Sequence, residues 1–136
     1  VFLGVASFTD PQHIQVEERS LRFKKAVITT GARATHPSIP GLADAGFLTN
    51  ETVFSLTERP QRLAVIGGGP IGSELAQAFH RLGSDVILFH KNDHILDRED
   101  DDAAAIVQQT FIREGIQLKL GATVDRVEKT SDGKVI

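Results

Sequence analysis

Residues 65–76 read VIGGGPIGSELA. An apolar run enters three glycines, meets a fourth three places later, and passes into a helical pattern. Gly67-Gly68-Gly69-Pro70-Ile71-Gly72 fits G-x-G-x-x-G, which carries weight only between a buried strand and a helix. The flanks supply that setting. Leu63–Ile66 is an apolar run read as a strand apolar on both faces, as in a parallel sheet. Ile71, Leu75, Ala78, Phe79 and Leu82 recur at helical spacing, and Gly83 stands where a helix ends. Val86–Phe89 is a second buried strand.

Each glycine has a separate physical task in such a loop. Gly67 allows the tight turn out of the strand. Gly69, lacking a Cβ, lets a pyrophosphate reach the backbone. Gly72 lets the helix lie close to the sheet. The first helical N–H groups and the positive end of the helix dipole then face the phosphates, and Pro70 sits where a missing N–H costs nothing. Gly68, Ile71 and Ser73 complete the stretch expected to hold the cofactor.

Working outward, Asp97–Glu114 reads as a long helix closed by Gly115, followed by a third strand over Ile116–Leu120. The carboxylates at 97–102 read as compensation for the helix dipole rather than as a metal site. Val124 and Val127 are placed in a fourth strand, and Ser131-Asp132-Gly133 is a hairpin turn. Upstream, residues 32–62 carry Pro37, Pro40, Gly41, Gly46 and Pro60 and read as a connector with little regular structure, with one short helix starting near Thr49. The first thirty residues alternate as a β-meander. Turns are expected at Asp10-Pro11 and Glu18-Arg19-Ser20, and a buried strand over Ala26–Ile28 ends at Thr29-Thr30-Gly31.

Composition limits the alternatives. The 136 residues are 40% hydrophobic and 24% charged, with net charge −3, a balance typical of globular chains. The basic residues are scattered, so no nucleic-acid partner is expected. No apolar run is long enough for a membrane span. The opening VFLGVASF lacks the basic flank of a signal peptide. With no cysteine, the chain offers no disulfide and no thiolate metal site, and its five histidines lack zinc-motif spacing. No metal residue and no catalytic residue is assigned. The start at Val1 reads as that of a piece of a longer protein.

The end of the second strand tests the cofactor. NAD sites usually place Asp or Glu there for the ribose 2′-hydroxyl. Here stand His90, Lys91 and Asn92. An ammonium attracts a 2′-phosphate, so this charge pattern leans to NADP(H) over NAD(H).

Taken together, KKAVITTGARATHPSIPGL at 24–42, LTNETVFSLTERPQRL at 48–63, LAVIGGGPIGSELAQAFHRLGSDV at 63–86 and ILDREDDDAAAIVQQTFIREGI at 95–116 resemble the pyridine nucleotide-disulfide oxidoreductases, in the mercuric reductase and dihydrolipoamide dehydrogenase branch. The resemblance implies an α/β, Rossmann-like dinucleotide-binding fold with a parallel sheet and β-meander, preceded by the β-rich tail of an FAD domain. It implies a division into 1–47 (end of an FAD-binding segment), 48–61 (connector) and 62–136 (NAD(P)H-binding domain, cut short).

It further implies that Thr30 and Gly31 run beside the flavin, that Glu74 lies near the nicotinamide, and that Val124 contacts the adenine. Pro70 departs from members with a gating tyrosine, and His90 from the glutamate of NAD-dependent members. The implied parent is a cytoplasmic, homodimeric flavoenzyme that passes hydride from NAD(P)H to FAD and on to a cysteine pair encoded upstream. This chain alone is expected to be inactive. Two other readings stay open: a nucleotide-binding module or flavoprotein without redox cysteines, and a non-flavin Rossmann dehydrogenase, which the TTG stretch disfavours.

Overall fold

The computed structural model describes residues 1–33 and 35–136. The chain forms two compact units, Val1–Arg33 and Ala34–Ile136. In the first, β1 (Ala6–Asp10), β2 (His13–Val16) and β3 (Arg19–Arg22) form an antiparallel sheet in chain order. The Asp10 carboxylate accepts the Gln12 N–H at 2.7 Å and makes the first turn with Pro11. The second turn is Glu17-Glu18, with Glu17 at φ 53°, so Arg19 and Ser20 belong to β3 rather than to the turn. Phe8 and Phe23 meet edge to face at 5.7 Å.

The strand expected over Ala26–Ile28 does not form. Val27 and Ile28 are 86% and 70% exposed. Their apolar character is not matched by a neighbouring strand in this unit, and an extended segment without ladder partners is no strand.

The second unit is organised by a parallel sheet, β4 (Arg62–Ile66), β5 (Asp85–Phe89) and β6 (Gln117–Lys119), in the order β4-β5-β6. Leu63 pairs with Val86, Val65 with Leu88, and Leu88 with Leu118. These side chains share one face. Helix α2 (Pro70–Arg81) brings Ala76 and Phe79 onto it, and α3 (Asp101–Glu114) brings Val107 and Phe111. Both crossovers step the same way across the sheet, so right-handed connections put both helices on one side. The other face is less covered: Ala64 and Ile66 are exposed and Ile87 and Phe89 half-buried. A strand apolar on both faces is thus covered on one only.

Local chemistry sets the helix ends. Past α2, Gly83 takes φ 97°, its N–H reaching His80 O and that of Ser84 reaching Phe79 O, a Schellman closure that a Cβ would disfavour. The start of α3 is four residues later than expected, because Leu96 adopts φ 57° and donates its N–H to Gly68 O at 2.7 Å. Asp97 therefore lies outside the helix. Asp100 is the N-cap, and Asp101 and Asp102 occupy the first turn.

A smaller core joins Leu42 and Ala45 of a one-turn helix, α1 (Leu42–Ala45), to Val127, with Ile39 and Val124 against it. The Val127 N–H donates to Pro40 O at 2.9 Å. That bond draws residues 122–127 into an irregular path instead of the expected fourth strand. Strands β7 (Glu128–Thr130) and β8 (Gly133–Val135) then form the expected hairpin. Residues from the 1–47 stretch thus contribute to the core of the second unit. Near Thr49, a 3-10 turn over Val53–Ser55 replaces the expected helix, with Thr49 and Thr52 bonding each other's backbone.

Candidate functional site: the glycine loop at the end of the parallel sheet

β4 delivers its chain to Gly67 at φ 110°. The Gly67 N–H donates to Phe89 O at 2.8 Å, so the loop starts level with the end of β5. The four glycines then have different surroundings. A Cβ on Gly72 would lie 1.9 Å from Gly67 O and 3.5 Å from Val65 Cγ1. That position is backbone against backbone, and only hydrogen fits. A Cβ on Gly68 would meet Ile95 Cγ2 at 2.9 Å and His90 Cγ at 3.0 Å. A Cβ on Gly67 or Gly69 would meet none of the described atoms within 4 Å. The loop is therefore packed against its own fold at Gly72 and Gly68 and open at Gly67 and Gly69.

Helix α2 begins at that opening. Gly69 is the N-cap, Pro70 holds the first helical position, and no side chain caps the end. The first α2 N–H paired with a backbone carbonyl of the loop is that of Ser73, donating to Gly69 O at 2.9 Å. Ile71 and Gly72 precede it as donors in the first turn. Ser73 is buried and its Oγ donates to Gly68 O at 3.3 Å. Pro70, Ile71 and Glu74 are exposed.

The second wall is the segment after β5. His90 is only 7% exposed. Its Nδ1 accepts the Gly68 N–H at 3.0 Å and its Nε2 lies 3.0 Å from Asp97 Oδ1. Because Nδ1 accepts from an amide, the proton belongs on Nε2, and the ring donates to Asp97 as a neutral imidazole. Asn92 Nδ2 donates to the other Asp97 oxygen. Partial burial works to raise the Asp97 carboxyl, but the bonds from Asn92 and His90 outweigh it and hold it below the ordinary 3.8. Lys91 is exposed and makes no ion pair among the described residues.

The fold thus gathers Gly67–Glu74 with His90 and Asn92 at one end of the sheet, with Lys91 on the surface between them. Val124 packs on the smaller core and lines, with Phe89 and Arg126, a surface cavity of about 370 Å³. Thr30 and Gly31 are exposed residues of the first unit, Gly31 at φ 72°. Asp97, which the fold brings against His90 and Asn92, was not among the residues expected here, since on the linear chain it belongs to an acidic helix start. Among the described residues, no group of three metal-ligating side chains converges, and no helix is long and apolar enough to cross a membrane.

This chain belongs to the pyridine nucleotide-disulphide oxidoreductase family, whose sequence profile matches residues 1–136. It is 37% identical over 133 residues to a mercuric reductase of Bacillus cereus, covering 98% of this chain and 21% of that protein. Its fold is similar to that of the HOCl-induced flavoprotein disulfide reductase RclA from Escherichia coli, solved as a Cu(II) complex, with TM-score 0.75 and 29% identity over 97% of this chain and 32% of the other. It is also similar to the water-forming NADH oxidase from Lactobacillus brevis bound to NADH, with TM-score 0.71 and 28% identity, covering 96% of this chain and 32% of that one. The chain spans about a fifth of the mercuric reductase and a third of each structure.

Proposed function

We propose that residues 62–136 form the nicotinamide-dinucleotide-binding part of a flavin-dependent oxidoreductase, with a Rossmann-like arrangement around β4-α2-β5. The observation that carries this reading is the division of labour among the glycines. Gly72 and Gly68 are required by packing, whereas Gly67 and Gly69 face open space at an uncapped helix N-terminus. Gly67 at φ 110° is also what the turn itself demands, but Gly69 at φ −74° is not, and a turn alone would not need a Cβ-free surface there where nothing else approaches.

A pyrophosphate would lie over Gly69, Pro70 and Ile71, taking hydrogen bonds from the first-turn amides and the field of the α2 dipole. Ser73 and His90 hold the loop by bonding the carbonyl and the N–H of Gly68. Glu74, on the exposed side of α2, faces the nicotinamide half, and Val124 the adenine half. Residues 1–47, including Thr30 and Gly31, belong with the flavin segment of the whole protein, and 48–61 connect the two.

A bound flavin supplies a two-electron acceptor for hydride. What this chain contributes is placement of the donor nucleotide. The whole protein is an NAD(P)H-oxidising homodimeric flavoenzyme that passes electrons to a cysteine pair or another acceptor.

Calorimetric titration of the 136-residue chain with NADH and NADPH tests the reading. Saturable binding of at least one, abolished by Gly69→Asp, is expected. Absence of binding by both overturns it.

A further inference from the structure

The end of β5 carries an imidazole where a ribose-binding carboxylate belongs, yet a carboxylate stands there. Asp97, seven residues on, is folded back onto His90 Nε2 at 3.0 Å and onto Asn92. Three features place it. Ile95 is fully buried and stands against the Gly68 position. The Leu96 N–H is tied to Gly68 O at 2.7 Å. Helix α3 begins only at Asp101. The same short segment therefore clamps the middle of the glycine loop and carries a carboxylate to its rim.

The charge at this rim differs from what the residues His90-Lys91-Asn92 imply. His90 accepts an amide proton at Nδ1, so it is neutral and supplies no cation. Both His90 and Asn92 spend donors on Asp97. Two hydrogen bonds leave a carboxylate with unused lone pairs, and the Asp97 side chain keeps 22% of its surface exposed. What remains for a ligand is an ionised carboxylate with acceptor capacity, and Lys91 is an exposed cation next to His90 in the sequence.

We propose that Asp97 is the specificity-determining group of the nucleotide site, accepting from the adenosine ribose 2′-hydroxyl and selecting a dinucleotide without a 2′-phosphate. The proposal rests on the reading of the glycine loop as a dinucleotide site. A hydroxyl can donate to Asp97. A 2′-phosphate in the same place sets like charges together and finds the His90 N–H and one of the two Asn92 N–H donors already given to Asp97, a mismatch that is costly where charges are partly desolvated. Lys91 alone opposes it, as an exposed and well-hydrated ammonium.

The test is titration of the 136-residue chain with NADH and NADPH, in the natural sequence and in Asp97→Asn and Asp97→Ala. The natural chain is expected to bind NADH roughly tenfold or more tightly than NADPH. Asp97→Asn keeps the shape and removes the charge, and it is expected to bring the two affinities together. A merely structural role for Asp97 would weaken both nucleotides alike and leave their ratio unchanged. Tighter NADPH binding by the natural chain overturns the proposal without recourse to any variant. So does an unchanged ratio in either variant that still binds. Those outcomes leave the dinucleotide site standing, whereas no binding of either nucleotide by the natural chain removes both.

Discussion

The two ends of α2 are built from different materials. At its C-terminal end, side chains meet across to α3. Arg81 grips Glu114 at 2.5 and 3.2 Å, Gln77 donates to the same carboxylate at 3.1 Å, and the His80 ring donates to the Glu114 carbonyl at 2.7 Å. Arg81 is the main influence that holds the Glu114 carboxyl below its ordinary value of 4.5. At the N-terminal end, no side chain caps the helix, and the loop before it offers backbone and open space. One end is closed by polar side chains bonded across to Glu114, with only the buried His80 Nδ1 left without a partner among the described residues. The other keeps donors in reserve. Donors left unspent beside a Cβ-free surface are what a phosphate-bearing ligand requires, so the contrast favours the N-terminal end of α2 for the proposed site.

Substitution can break this contrast, and Gly72→Ala should do so most severely. Its methyl would stand 1.9 Å from Gly67 O, backbone that cannot step aside without lifting α2 from β4. We expect a loss of about 2–3 kcal/mol of stability in urea unfolding, with nucleotide binding lost as well. Gly68→Ala should cost less, about 1–2 kcal/mol, because its obstacles are the Ile95 and His90 side chains at 2.9 and 3.0 Å, which can yield. Gly69→Ala sharpens the comparison. Gly69 has φ −74° and an unobstructed Cβ position, so stability should stay within about 0.5 kcal/mol of the natural chain. Its dinucleotide affinity should nevertheless fall roughly tenfold in calorimetry. Equal effects from Gly69→Ala on fold and binding would show that the loop is only a turn.

The smallest expected effect is at the closed end, and it is read by pH. The Glu114 carboxyl is depressed in the folded chain, so its contribution is present above the ordinary 4.5 and fades as pH falls through the lower folded value. Asp97 behaves likewise below 3.8. Thermal midpoints measured from pH 6 down to about pH 3 should therefore decline, with a shallower decline in Glu114→Gln. Since Arg81 is well exposed, the neutral-pH loss in that variant should be slight, and raised salt should reduce it further. An identical acid slope in Glu114→Gln would remove this pair from the account.

Much of this was legible along the chain because it depends on neighbours in sequence. The strand–glycine–helix–strand order, the closing glycine of α2, the β-meander and the final hairpin all follow from residues a few places apart. The separate tasks of Gly67 and Gly72 could also be anticipated from their order, since a tight turn and a close helix impose them locally. Residues 26–28 show the limit: Ala-Val-Ile has the composition of a buried strand, but burial needs a partner that the described part of that unit does not provide. Residues 124–127 show it again, where one bond from Val127 to Pro40 and a small distant core override a strand pattern.

Sequence alone determined the strand–glycine loop–helix unit, the α/β order and the family, because those rest on backbone sterics, on period and on motif order. Only the tertiary structure decided which glycine is packed and which is open, and that one sheet face alone receives the helices. It also decided the charge at the end of β5. In the sequence, His90 stands beside Lys91 at the strand end, where the cofactor's ribose is expected, with no carboxylate in its place. Its protonation pattern is set by the Gly68 amide on one side and Asp97 on the other, contacts that span 22 and 7 residues. The electrostatics of a buried imidazole are fixed by which atoms the fold brings against its two nitrogens, and no reading of adjacent letters contains them.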